Sequence, residues 1–593
     1  MHYIYGYISR YMKQLTAKIK TLTLLSALLL LPAFTAQAAS DDGDHNFNVA
    51  KNIQVFNEIY NYLDLMYVDT LDADETVGTA INSMLRSLDP YTVYYPESEV
   101  NKLRTMMTGR YVGIGSIIRY NTKLKRVVID EPFAGTPAAE AGLKKGDIIL
   151  SIDDSLMTDK DVQYVSSRLK GDAGTTFVLK IKRPSTDKEM QMRITRRAVE
   201  TPTIAYYGLQ GDGIGYLNLT SFTEGCAKEV RRAFLDMKQK GMKGFVLDLR
   251  GNGGGSLDEA VQIVNMFVPK GLTLVKTRGK LKRANKDYVT TVDPIDTVMP
   301  VVVLVNGETA SASEITGGSL QDLDRAVILG TRTYGKGLVQ LPVDLSYNTQ
   351  LKLTTGKYYI PSGRCIQAIN YRHARGGYTE HIPDSLTKVF HTAGGREVRD
   401  GGGIKPDLVV RPDSLPNIAY YLTVTGLDST EVLLDYEIDY IAKHPTIAAA
   451  AKFEISDADY DDFKRRVIES GFTYDPESER ALKTLKKIVK FEGYYDDAKA
   501  EFDALEKKLK HNIARDLDMH RDVLKQIISS DIVAAYYFQA GAVENSLKHD
   551  KQVNEAFSLI NDQTRYKAIL NGTYKPETDD DGKDDGGEDE EEE

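Results

Sequence analysis

Histidine is missing from the part of this chain where a hydrolase would most use it. None of the nine falls between His45 and His373, so a serine in the middle of the sequence would have to borrow a histidine from a distant loop. Lysine is the simpler candidate for a base. Cysteine is scarcer still: Cys226 and Cys365 are the only two, too few for a disulfide scaffold, and two separate buried thiols are a plainer reading than one bridge. Neither Gly-x-Ser-x-Gly nor His-Glu-x-x-His occurs, which removes the signatures of a hydrolase elbow and a zinc-protease helix. After Phe34 no apolar run approaches the ~18 residues of a membrane helix. His373, His381 and His391 sit in a glycine-rich stretch that reads as surface loop, with no metal site.

Charge of one sign is abundant in one place only. The formal net charge is −10, but the segment from Pro576 onward carries twelve acidic residues and one lysine, so the rest is close to neutral. The acidity belongs to a disordered tail over 576–593, and nothing points to a nucleic-acid partner. At the other end Arg10, Lys13, Lys18 and Lys20 precede an apolar core from Leu22 to Phe34, followed by Ala36-Gln37-Ala38. That pattern predicts a cleaved secretory signal over 1–38 and a periplasmic location, with an uncleaved inner-membrane anchor as the alternative.

The 593 residues should hold roughly three or four domains at about 100–200 residues each. Helical spacing at Val55, Ile59, Leu63 and Met66, then at Val77, Ile81, Met84, Leu85 and Leu88, predicts a helical region over 39–108 with a packed face, a dimer contact being the alternative. Short strands and glycine turns over 109–198 indicate a small β-rich α+β module. Within it Tyr111, Val112, Gly113, Ile114, Gly115 and Ile117 would gather backbone N–H groups able to hold a carboxylate. With Pro137–Leu143 and Gly146–Ile152, this pattern resembles a PDZ domain, which takes a peptide C-terminus as an added strand; Ile114 and Ile117 would then favour apolar terminal residues.

From 199 to 412 the texture is α/β. Strands are predicted at Ile214–Phe222, Gly244–Leu249 and Val301–Val305, and helices at Thr223–Lys240, Leu257–Val268 and Ser311–Leu320. Ser311 stands at a helix start, where backbone N–H groups lack partners. Lys336 lies between Gly335 and Gly337, with Gln340 beyond it. A lysine of ordinary pKa near ~10.4 must fall to about 7 or 8 to act as a base, and an apolar, glycine-lined pocket supplies that shift. Gly330–Lys336 has phosphate-loop spacing, but position 337 is glycine where a magnesium-binding hydroxyl is needed. Ser185 with Lys188, and Ser385 with Lys388, match Ser-x-x-Lys without the companion penicillin-recognising motifs.

Taken together, Thr309–Glu314, Tyr334–Gln340, the Asp248-Leu249-Arg250 glycine loop, Gly402–Asp407 and Leu88-Asp89-Pro90-Tyr91 resemble the C-terminal processing peptidases over about residues 50–412. The resemblance implies a multidomain α/β protein with a crotonase/ClpP-like protease core, an inserted or preceding PDZ domain, and helical regions at both ends. It further implies Ser311 as nucleophile, Lys336 as general base and then acid, Gln340 as its orienting residue, and N–H groups of Ala312 and Gly254 as the oxyanion hole, with no metal and no cofactor. Substrates would be proteins with accessible, apolar C-termini. The runner-up is a catalytically silent PDZ scaffold. Residues 413–575 read as an accessory helical domain for dimerisation or an adaptor, with a start signal at Asp475-Pro476-Glu477 and apolar positions at Leu482, Leu485, Ile488 and Val489.

Overall fold

The structure is a computed structural model that describes residues 42–368 and 384–574, apart from positions 425, 475, 476 and 511. The signal segment, the acidic tail, His373, His381 and Asp475-Pro476 lie outside the described residues.

Residues 42–80 belong to a unit of their own. Its helix, Asp42–Met66, leaves Val55, Ile59, Leu63 and Met66 exposed, so the predicted packed face is an open apolar stripe. Helices Ala73–Arg86 and Glu97–Thr108 follow, but the chain between them departs from the helical expectation. Pro90 removes an N–H and pushes Asp89 out of the helical region. Asp89 Oδ1 accepts the N–H groups of Tyr91 and Thr92, each at 2.8 Å. The β-forming residues Val93–Tyr95 then make a strand that pairs antiparallel with Gln350–Lys352.

The small module opens with Arg110–Gly113 and closes with Arg197–Glu200, and these two strands pair with each other. Between them lies an antiparallel sheet in the order Ser116–Asn121, Arg126–Pro132, Ile148–Ile152, Thr176–Arg183, Lys188–Thr195. Helix Val162–Leu169 buries Val165 and Leu169 in its core. Val93–Tyr95, ahead of the module, already pairs with a strand far beyond it, so the module is inserted rather than merely preceding. It rests on helix Val432–Lys443, where Val128 and Ile148 meet Leu434 and Ile438, and Lys145 Nζ pairs with Glu437 at 3.0 Å.

The central sheet runs Ile204–Gln210, Ile214–Leu219, Gly244–Asp248, Val301–Val305, Val327–Gly330, Leu408–Val409, parallel after the first antiparallel pair. Strand Val301–Val305 is buried throughout, as expected of a parallel strand covered on both sides. Val301, Val303 and Val305 face helices Cys226–Gln239, Leu257–Asn265 and Ala312–Asp322. Val302 and Leu304 face the other way, onto Val553, Leu559 and Ile560. Helices Lys551–Asn561 and Gln563–Leu570, read from the sequence as part of the C-terminal helical region, cover this second face of the α/β sheet, and Tyr566 Oη hydrogen-bonds both N and O of Val301. Helices Asn417–Thr423, Val432–Lys443, Asp457–Glu469, Ile513–Met519 and Arg521–Ser546 pack around Tyr460, Phe463, Ile528 and Ile532. In helix Glu477–Glu492, Leu482 is buried while Leu485 and Ile488 stay exposed. Cys226 is buried and Cys365 half-buried, and both are free thiols.

Gly330 ends its strand at φ +132°, where an added Cβ would stand 2.0 Å from the Val305 carbonyl oxygen. Gly330→Ala should therefore lower stability by ~3 kcal/mol or more in urea unfolding; a loss below ~1 kcal/mol would contradict the tight register.

Candidate functional site

The strand Val301–Val305 delivers the chain to a turn that two glycine-rich loops enclose. Asn306 N donates to Thr309 Oγ1 at 2.9 Å, and Thr309 Oγ1 donates to the Leu249 carbonyl at 2.9 Å, which ties the turn to the neighbouring parallel strand. Asn252 does most of the rest. Its carbonyl accepts Ala310 N at 3.0 Å and Ser313 Oγ at 2.9 Å, its Nδ2 donates to the Leu219 carbonyl, and its Oδ1 accepts Gly254 N at 2.9 Å. The Asp248-Leu249-Arg250 motif anchors the same loop from behind. Arg250 pairs with Asp248 at 2.6 Å and with Asp550 at 2.8 Å, and donates to Gln552 at 2.7 Å.

Ser311 caps helix Ala312–Asp322 with φ 57° and ψ −114°. A β-carbon is disfavoured at positive φ, at a cost of order 1–3 kcal/mol, so the surrounding contacts must hold it there. Glu314 does so. Its carboxylate is fully buried and accepts Ser311 N at 2.8 Å, Lys336 N at 2.9 Å, Gly335 N at 2.7 Å and Thr333 Oγ1 at 2.6 Å. One side chain thus fixes the backbones of both the serine and the lysine. Tyr358, also buried, complements it: its hydroxyl reaches the Lys336 carbonyl at 2.6 Å and the Ser311 carbonyl at 3.3 Å. Burial pushes the Glu314 carboxyl up to about 7 against the pull of its four donors.

Burial also brings the Lys336 ammonium down to about 8; the like charge of Lys352 adds to the effect, while Glu314 and Asp89 oppose it. Its Nζ lies 4.5 Å from the Tyr91 ring centroid. Among the described residues no hydrogen bond joins Ser311 Oγ to Lys336 Nζ. Gln340, expected on the lysine, donates instead to Thr354 Oγ1 at 3.2 Å, because the register of Leu338–Asp344 against Gln350–Tyr359 pairs residues 340 and 354.

Gly254 packs directly on the nucleophile turn: at φ +97°, an added Cβ would stand 2.8 Å from Ala312 N and from Ser311 Cβ. Its N–H, expected as an oxyanion donor, is engaged by Asn252, whereas Ala312 N–H has no acceptor among the described residues.

In the module, Tyr111, Val112 and Gly113 lie in the strand paired with residues 197–199, so the open part of the predicted loop is shorter. Ile114 and Gly115 donate their N–H groups to no partner among the described residues, beside the edge strand Ser116–Asn121. Ile114 is 3% exposed and packs in the module core, whereas Ile117 is 40% exposed. Sequence reasoning gave no role to Glu314, Tyr358, Asn252 or Tyr91. The Ser-x-x-Glu spacing of a capping box over Ser311–Glu314 was the one available signal for the first.

Comparison with known proteins agrees with this organisation. A model described as peptidase family S41 matches residues 213–376, a PDZ domain model matches 128–183, and a probable PDZ-protease C-terminal helical domain matches 423–560. A carboxy-terminal-processing protease of Bartonella bacilliformis is 35% identical over 354 residues, covering 59% of this chain and 80% of that protein. Carboxy-terminal processing protease CtpB of Bacillus subtilis is 30% identical over 338 residues, covering 56% and 68%. Among solved structures, a photosystem II D1 C-terminal processing protease is 28% identical with a TM-score of 0.33, covering 63% of this chain and 92% of that one.

Glu314→Gln should loosen both backbones and lower activity. Its effect on stability depends on pH with a definite sign. The folded carboxyl binds its proton more tightly than an exposed glutamate, so that contribution is complete below about 4.5 and lost as pH rises through about 7. Urea unfolding of parent and variant side by side should show the parent's relative stability falling by roughly 3 kcal/mol between about pH 5 and 8; a rising difference would contradict the burial.

Proposed function

Because the chain belongs to the carboxy-terminal processing proteases of peptidase family S41, a serine peptidase family, we propose that Ser311 and Lys336 form the reacting pair of a periplasmic endopeptidase that selects substrates by their C-termini. The observation that carries this reading is the shared clamp: Glu314 holds Ser311 N and Lys336 N on one carboxylate, so the two side chains spring from one rigid frame. A base with pKa about 8 is about a tenth unprotonated at pH 7, against about 0.03% for an ordinary lysine.

In the proposed reaction the neutral Lys336 amine takes the Ser311 Oγ proton as Oγ adds to the scissile carbonyl carbon. The resulting oxyanion is held by Ala312 N–H, with Gly254 N–H joining once Asn252 Oδ1 lets go. Losing one such donor typically costs about 10²- to 10³-fold in rate. Lys336 then gives its proton to the departing amine, leaving an acyl ester on Ser311. A water, deprotonated by Lys336, adds to that ester; its collapse releases the new C-terminus and returns the proton to Oγ. For this chemistry Lys336 must leave the Tyr91 ring and Gln340 must exchange Thr354 for the amine. The free N–H groups of Ile114 and Gly115 support a terminal carboxylate as the ligand of the PDZ domain. The basic residues and apolar core ahead of Ala36-Gln37-Ala38 support export.

An unstructured reporter protein ending in apolar residues should be cut by the parent and left intact by Ser311→Ala and Lys336→Ala, and a charged reporter terminus should slow cleavage about tenfold or more. Binding of apolar peptides without cleavage would favour a silent scaffold. The parent's kcat/KM should rise about tenfold per pH unit on the acid side and level off near pH 8. A limb near about 6.5, the ordinary histidine value, would assign the base elsewhere.

A further inference from the structure

The Lys336 amine lies over an aromatic ring from a distant part of the sequence. Nζ stands 4.5 Å from the centroid of Tyr91, and the ring has a built seat. Asp89 Oδ1 caps Tyr91 N and Thr92 N, and Asp89 Oδ2 accepts Thr92 Oγ1 at 2.9 Å. Thr92 Oγ1 accepts Thr354 N at 3.2 Å, and Tyr91 Oη donates to Tyr334 Oη at 3.2 Å. Strand Val93–Tyr95 then locks the segment to Gln350–Lys352. Thr354 is also the partner of Gln340, so the same short segment touches the lysine through Tyr91 and the glutamine through Thr92 and Thr354.

An aromatic face attracts an ammonium through its quadrupole and has little to offer a neutral amine. The other charged groups around Lys336 do not share that selectivity of position. Lys352 repels the cation, while Glu314 and Asp89 attract it; Glu314 is committed to three backbone N–H groups and the Thr333 hydroxyl, and Asp89 to the Tyr91–Thr92 turn. The ring is therefore the seat of the charged form. We propose that Tyr91 is a positioning residue for Lys336: its face holds the ammonium out of hydrogen-bonding reach of Ser311, and loss of the proton releases the amine toward the nucleophile. Protonation state and position are thereby coupled, so that the lysine meets Ser311 in the form that accepts a proton.

This inference rests on the Ser-Lys reading, and its test separates the two. The reactivity of the Lys336 amine toward trace acetic anhydride is followed from pH 6 to 10 in the full chain by mass spectrometry of the peptide containing it. This readout needs no catalysis. Removing the ring face with Tyr91→Leu should move the labelling midpoint down by about half to one pH unit, with the acid limb of kcat/KM on the apolar-tailed reporter moving by the same amount. Tyr91→Phe, which keeps the face, should leave both in place. Should Tyr91→Leu fail to fold, phenylalanines with one, three and five ring fluorines at position 91 weaken the face at nearly constant shape, and the midpoint should fall stepwise with fluorination. Midpoints that stay fixed or rise overturn the role of Tyr91. Full activity in Lys336→Ala would instead overturn the Ser-Lys reading, whatever the labelling shows.

Discussion

A single buried carboxylate holds the reacting region together. Glu314 forms no ion pair among the described residues, yet it accepts four hydrogen bonds from donors on the serine, on the lysine and on the two residues just before or near it in the loop. Burying such a group without those donors would cost several kcal/mol, so the loop carrying Lys336 and the turn carrying Ser311 are stable only together. Tyr358 meets the opposite polarity, offering its hydroxyl to the carbonyls of the same two residues. The positive φ of Ser311 is the visible consequence: the nucleophile is aimed by contacts made to its backbone.

That clamp depends in turn on the sheet beneath it. The turn begins where Val301–Val305 ends, and the strand is fixed because both of its faces are covered. The first cover is local, made of helices close to it in sequence. The second comes from Lys551–Asn561 and Gln563–Leu570 near the end of the described chain. Arg250 joins the two levels, since it binds Asp248 at the strand end and Asp550 and Gln552 at the start of the covering helix. The PDZ module, by contrast, is closed by its own first and last strands and leans on a different helix, Val432–Lys443. Its contact with that helix runs in part through Lys145 and Glu437, and burial pushes the latter carboxyl up while Lys145 pulls it down.

Features with a local physical cause were legible in the sequence. The run Val301–Val305, the glycines around Lys336 and the break into short strands after Gly109 each announce a structure within a few residues. The same holds for Ser311, whose helix start is marked by the Glu three positions on. What escaped notice acts across the chain. Tyr358, Asn252 and Tyr91 matter through partners tens to hundreds of positions away, and no periodicity marks them. The last two helices read as part of an accessory domain because amphipathic spacing shows that a face is buried but not against what. Ile114 lies in the turn between two strands, where no alternation pattern tells which way a side chain faces, and it is buried in the module core. Gln340 lies on the strand after Lys336, and only the pairing register shows that its side chain meets Thr354.

The central claim is that Ser311 becomes covalently acylated because Lys336 takes its proton. Rapid mixing of the parent with a slowly deacylating peptide ester that ends in apolar residues, followed by acid quench and peptide mapping by mass, tests this directly. The account predicts a stoichiometric acyl adduct on Ser311 that disappears in Lys336→Ala. Turnover without any adduct, or an adduct that persists in Lys336→Ala, would contradict it.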